Sequence, residues 1–170
     1  MITPAYIRTM AAYNAKMNRR LYDAASRLSN AERRRDRGAF WHSIHGTLAH
    51  ILWGDGVWMS RFGNWSRPTT PMKESDHFTE DWAELCVERE KADADILRWA
   101  ATVNEAWLDE ELAFFSLIVE REVSAPKRLL VTHFFNHQTH HRGQAHALIT
   151  AAGEKTDDTD LFLVVPQMIE

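Results

Sequence analysis

The sequence predicts an all-α fold, a four-helix bundle with a long crossover connection and a small β-hairpin before the last helix. Two observations carry that prediction. Four long segments repeat apolar residues at helical spacing between recognisable start and stop signals, and each sets polar residues among its apolar ones. The first helix opens at Thr3-Pro4, a cap followed by proline at the first helical position, and its apolar side runs from Tyr6 through Met10, Tyr13, Met17 and Leu21 to Ala24 and Leu28. Ser29 and Glu32 suit a capping box for a short connecting helix that ends at Gly38. The second long helix spans about Trp41 to Phe62 with Gly63 as its stop, and the polar stretch containing Pro68 and Pro71 is too broken for regular structure. Thr79 caps the third helix, whose inward positions are Trp82, Leu85, Cys86, Ile96, Leu97 and Ala100. Leu112 to Val123, rich in Phe, Ile and Val, can hold two short strands. Ser124 and Pro126 open the fourth long helix, which ends at Gly153, and Asp160 to Glu170 with its LFLVVP run lies across the bundle as an extended segment. No repeat or Pro/Gly-rich linker divides residues 1–170, which read as one domain.

Composition removes several function classes. A chain of 170 residues with 45% hydrophobic content can bury a core without disulfide staples. One cysteine, Cys86, excludes an internal disulfide and a Cys-rich zinc module, and reads as a small buried hydrophobe. A net charge of −4 argues against a nucleic-acid partner held by phosphate neutralisation. No apolar run is long enough for a membrane span, so no membrane partner is expected. Arg8 and Lys16 interrupt the stretch a signal peptide would need, which makes the cytoplasm the expected location. Nine histidines and seven tryptophans remain as the unusual features. The tryptophans read as packing and dimer-surface residues, and the run Arg33, Arg34, Arg35, Arg37 as a solvated turn.

The histidines carry the functional argument. In THFFNHQTHHRGQAHA, His137 and His141 stand one helical turn apart on the face shared by Leu130 and Leu148, while His146 projects away. Neighbouring buried imidazoles cannot all be charged and need partners for their nitrogens, and an i, i+4 pair on an inward face offers two ligands to one metal ion. On the second helix His50 lies at the edge of the stripe formed by Phe40, Ile44, Thr47, Ile51 and Trp58, and is the best third ligand; Asp55, flanking the same stripe, is the weaker choice. His45 points away from that stripe, and His42 and His77 read as bystanders with it, while His133 and His140 are inner neighbours of the pair. On the first helix Asn14 projects with the apolar residues and Asn18 sits at their margin, while Arg89 and Asp93 on the third are inward; the last two read equally as a self-satisfied i, i+4 ion pair or as functional groups. Every long helix therefore brings polar groups into the interior, and a polar pocket follows.

At this point the sequence resembles the DinB/YfiT-like proteins over nearly its whole length. The resemblance lies in AYNAKMNRRL, SIHGTLAHILWGDGVWMSRF, LLVTHFFNHQTHHRGQAHALITAAG and DLFLVVP, with NHQTHHRGQ its specific part. It implies a helical bundle with a three-histidine metal site whose ligands fall on His50, His137 and His141, with His133 as substitute or neighbouring group. It further implies a divalent metal, zinc or nickel, a homodimer packed through helices, and a small-molecule substrate handled with a low-molecular-weight thiol. The expected function is a metal-dependent enzyme, a thiol-dependent S-transferase or a hydrolase, with Asn14, Asp93 and Gln144 orienting ligands or substrate. The alternative is a non-catalytic stress-response dimer that holds a metal or small ligand without turnover.

Overall fold

The computed structural model describes residues 1–116 and 118–165. In chain order its elements are α1 (Pro4–Ser26), α2 (Asn30–Arg34), α3 (Ile44–Phe62), a 3-10 turn (Met72–His77), α4 (Trp82–Thr102), α5 (Glu105–Leu108), β1 (Glu111–Ser116), β2 (Arg121–Pro126), α6 (Lys127–Ala151) and α7 (Leu161–Val164). The four long helices form the predicted bundle: α1 packs mainly on α4 and α6, and α3 on the same two. Consecutive long helices α1 and α3 thus occupy opposite corners, as do α4 and α6. The crossover from α4 to α6 carries α5 and the hairpin.

Local chemistry sets the boundaries. Thr3 accepts from the Tyr6 N–H and starts α1 as its sequence predicts. Ser29 caps α2, but the Glu32 carboxylate pairs with Arg35 and Arg37, so only half of the capping box forms, and the helix ends at Arg34. Ser43 accepts from the Gly46 N–H and starts α3 at Ile44, later than the hydrophobic pattern suggests. Before it, His42 takes a left-handed backbone (φ 62°) and bridges to Ala39, leaving Phe40 outside the helix and 74% exposed. Asp81, not Thr79, caps α4, accepting from the Glu84 N–H. Leu97 on that helix is exposed instead of inward.

Other departures come from tertiary contacts. The stretch read as irregular contains the 3-10 turn at Met72–His77, which packs on α3. The Arg33 guanidinium is buried, stacks 4.5 Å from the Trp82 ring centre and donates to the carbonyls of Ala25 and Leu28, so it is no solvated turn residue. The tail forms the short α7 where an extended segment is predicted, and seats Val164 and Val165 against Met17; residues 166–170 lie outside the described residues. The hairpin pairs Glu111 with Pro126 and Phe114 with Val123, and turns Leu112, Phe114 and Ala125 onto the bundle. Ser124 belongs to β2 and donates to Glu111, so it does not cap α6.

Two apolar clusters fill the bundle, separated by a polar layer. One gathers Leu21, Ile44, Leu48, Leu85 and Ile149; the other gathers Ile7, Met59, Leu108, Phe134 and Phe135. Between them a circuit of side chains visits all four long helices. Asn14 of α1 donates to the Gln138 carbonyl of α6. Gln138 Nε2 donates to Asp55 of α3 at 2.8 Å, and Arg89 of α4 donates to the other Asp55 oxygen at 2.6 Å. Arg89 also pairs with Asp93 at 2.8 Å, and Asn18 of α1 donates to the same Asp93 oxygen at 2.8 Å. The Arg89–Asp93 pair is therefore one link of a ring that closes only through the α1 backbone between Asn14 and Asn18. Burial raises both carboxyls, Asp93 up to about 6, against the opposing pull of Arg89.

Removing one member of such a ring leaves the others buried without partners. Asp55→Ala strands Arg89 and Gln138 and is expected to lose about 3–5 kcal/mol of stability, measured by urea denaturation near pH 7.

Candidate metal centre

Helix α3 is covered by α4, α6, α2 and the 3-10 turn, so residues 44–57 are buried without a break. On such a helix, projection away from the apolar stripe does not mean exposure. His45, read as a bystander, is buried and bonds the Thr79 carbonyl at 2.7 Å through Nε2. His50 is 3% exposed and faces His137 and His141 of α6. One candidate ligand nitrogen from each of the three lies within 4.8 Å of the other two. Their rings are inclined at 55° to 76° to one another, so edges converge instead of faces stacking.

Hydrogen bonds on the far sides fix which nitrogens are free. Ser75 Oγ gives its proton to the Met72 carbonyl, so it must accept from His50 Nδ1–H at 2.8 Å. That leaves His50 Nε2 with a lone pair aimed inward. Gln144 plays the same part for His141: its Oε1 accepts from Nδ1–H at 2.7 Å, while its amide N–H donates to His140. His50 Nε2 and His137 Nε2 stand 3.2 Å apart. A tetrahedral zinc ion with Zn–N distances of about 2.0–2.1 Å sets two ligand nitrogens about 3.3 Å apart. His137 Nδ1 is buried with no hydrogen-bond partner among the described residues. Burial, followed by the charges of neighbouring histidines, depresses His50 to about 2 and His137 to about 3, and burial lowers His141 too. Three neutral bases that resist protonation and converge on one point fit a cation.

Aromatic residues hold the arrangement. Trp41 stacks on His50 with ring centres 3.9 Å apart, and Trp53 lies nearly parallel to it at 5.7 Å while its indole N–H binds the Thr70 carbonyl. Gly54 makes room for His137: a Cβ there would sit 2.7 Å from the imidazole Cε1. Two cavities reach both His50 and His137, one of about 280 Å³ bordered by Trp41 and His140, the other of about 520 Å³ walled mainly by apolar side chains. His133 is exposed, lines the larger cavity beside Trp58, and stands outside the trio. Asp55 and Asp93 belong to the polar ring and are not at the histidines. Asn14 likewise bonds Gln138 there, whereas Gln144 does orient a histidine. His42 and His77 are exposed, and His146 contacts Thr156.

Sequence reasoning missed Ser75, Gln138, Gly54 and the stacking role of Trp41. Gln138 had a signal, because it precedes His141 by three positions on the inward face. Ser75 had none, since only the folded connection between α3 and α4 brings it to His50.

A sequence model of the DinB family matches residues 1–166. A DinB-like protein from Bacillus cereus has a similar crystal structure, with a TM-score of 0.51 at 18% identity over 86% of this chain and 90% of that one. At that identity the likeness bears on the fold. No curated protein matches the chain.

Gly54→Ala drives a methyl group into the His137 ring while leaving the polar ring untouched. Its expected effect is a loss of about 10- to 100-fold in zinc or nickel affinity, read by competition with a chromophoric chelator, with helical content unchanged by circular dichroism. The depressed histidines also set a pH dependence. Below about pH 6.5 the unfolded chain takes up protons that native His50 and His137 refuse, so they make stability fall as pH drops toward about 3. Asp93 acts in the opposite sense between about pH 4 and 6, because its native form keeps a proton that the unfolded form releases. For metal-free protein, the fall in unfolding free energy between pH 7 and 5 is expected to shrink by about 2 kcal/mol in His50→Gln, measured by urea titration at both pH values.

Proposed function

The chain belongs to the DinB family, and on that premise we propose that it is a metal-dependent enzyme whose ligands are His50, His137 and His141. The observation that carries the proposal is the pair of far-side hydrogen bonds that His50 and His141 donate to Ser75 and Gln144, which pin two imidazoles with lone pairs toward the same point as the third. Zinc or nickel suits an all-imidazole donor set. When bound, such an ion supplies Lewis acidity and makes a thiol or water nucleophilic near neutral pH.

The reaction favoured is transfer of an electrophile to a low-molecular-weight thiol, with hydrolysis as the second branch. The chain's own thiol is misplaced for it. Cys86 stands on α4, lines the cavity beside Tyr22 and Asp93 instead of either cavity at the histidines, and is pushed up by burial. A co-substrate from outside would supply the sulfur, entering by one cavity while the electrophile uses the other. His50, held between Trp41 and Ser75, keeps its orientation through turnover, and the apolar walls of the larger cavity limit water around the reacting groups. The working assembly would be a homodimer in the cytoplasm. Among the described residues no helix is long and apolar enough to cross a membrane.

A non-catalytic holder would be expected to close its site with a fourth protein ligand. The trio has no fourth His, Cys, Asp or Glu grouped with it among the described residues, and two cavities reach it, which supports the enzyme reading. Metal analysis of untagged protein is expected to give about one zinc or nickel ion per chain and none in His137→Ala. Metal-loaded protein is then expected to conjugate an electrophile such as 1-chloro-2,4-dinitrobenzene with one member of a small-thiol panel, at rates far above His141→Ala. Absence of stoichiometric metal in the wild type would overturn the reading; metal without any thiol-dependent rate would remove the transferase branch for the panel used.

A further inference from the structure

The larger cavity at the histidines has a chemical asymmetry along its length. At one end are His50 and His137; at the other, Arg61. His50 and Arg61 are eleven residues apart on α3, roughly 16 Å along the helix axis between their backbones. The wall between them is apolar, built from Val57, Trp58 and Leu130 of the bundle and Phe114 of β1.

Arg61 is held in an unusual way. Its guanidinium lies 4.5 Å from the Trp58 ring centre and 4.1 Å from that of Phe114, and the two rings meet at 74°. The cation therefore sits in an aromatic corner. No carboxylate pairs with it among the described residues, whereas the buried cations Arg33, Arg89, Lys127 and Arg142 each have a hydrogen-bond or ion-pair partner. Burial, with a smaller contribution from Arg67, lowers its pKa to about 10, so it stays charged at neutral pH at some desolvation cost. Among the described residues no Asp or Glu lines this cavity, and its titratable side chain besides Arg61 and the site histidines is His133, which burial and Arg61 hold toward the neutral form.

We propose that this cleft takes an amphipathic carboxylate: a small molecule whose carboxylate binds the N–H edge of Arg61, whose apolar body lies along Trp58 and Phe114, and whose reactive group reaches His50 and His137. The planar fork of one guanidinium matches one carboxylate in two parallel hydrogen bonds, and one positive charge matches a monoanion better than a phosphate dianion. The aromatic corner fixes the fork in advance, so little side-chain freedom is lost on binding. The carboxylate end needs only Arg61; the assignment of the far end as the reacting one rests on the metal-dependent reading above.

Calorimetric titration of octanoate and its uncharged analogue octanamide separates these parts. Wild-type protein, both metal-free and zinc-loaded, is expected to bind octanoate about tenfold more tightly than octanamide or better. Arg61→Gln is expected to abolish that preference while leaving octanamide affinity, helical content and zinc stoichiometry unchanged, and Arg61→Lys to keep part of it. Equal affinity for the two probes in the wild type, or no binding of either at millimolar concentration, overturns the proposal. So does a preference that survives Arg61→Gln but vanishes when zinc is removed, because the carboxylate would then sit on the metal. If the protein takes up no zinc at all, the metal-dependent reading fails, while the metal-free titration still decides the role of Arg61.

Discussion

The buried contact between Asp55 and Arg89 is the constraint on which the rest of the bundle depends. A carboxylate and a guanidinium with almost no solvent exposure can persist only when nearly every donor and acceptor is answered. The answers come from Gln138, Asn14, Asp93 and Asn18, on helices that share no sequence neighbourhood. Sliding any one long helix by a turn would leave charge uncompensated in the interior, at a cost larger than the apolar contacts could recover. Apolar clusters above and below this layer tolerate small shifts; the layer does not. The histidine centre inherits that rigidity. Asp55 lies five residues beyond His50 on α3, and Gln138 is the neighbour of His137 on α6, so the bond between Asp55 and Gln138 fixes where the two imidazoles meet.

Placed against this arrangement, the legibility of the sequence follows a physical pattern. Helix number, helix order and the inward pair His137 and His141 could be read because they depend on periodicity, which is local, whereas His50 stood only at the edge of its stripe. Helix ends were read less well where a nearby residue competed for the cap, as Asp81 did with Thr79 and Ser43 with the residues before it. The circuit was visible only in pieces. Asn14, Arg89 and Asp93 showed as inward polar residues and Asn18 as marginal, but the partners that link them, Asp55 and Gln138, required knowing which helices face one another. His45 marks the limit of the helical wheel: a wheel assigns direction, and α3 has cover in nearly every direction.

Tryptophans read as packing residues turn out to work on the histidine site as well. Trp41 and Trp53 flank His50, and Trp58 lies against both His133 and Arg61; the Trp53–His50 and Trp58–Arg61 contacts follow i, i+3 spacing on α3, whereas those of Trp41 with His50 and Trp58 with His133 arise from the fold. Aromatic rings suit this duty: they exclude water from an imidazole or guanidinium while leaving its in-plane N–H or lone pair free for polar partners. The excess of tryptophan and the excess of histidine in this chain therefore meet at one place.

The hairpin stands apart from these constraints. It is attached to the bundle by a few side chains, Leu112, Phe114 and Ala125, and contributes nothing to the polar ring or to the imidazole trio. Yet through Phe114, Ser116 and Ile118 it forms one wall of the larger cleft. The architecture thus separates a floor, whose geometry every long helix enforces, from a roof carried by a short side element with its own internal pairing. Such a division lets the roof change length or composition without disturbing the chemistry beneath it. One scaffold can in this way be refitted to new molecules by editing about a dozen residues that lie outside the polar ring and the imidazole trio.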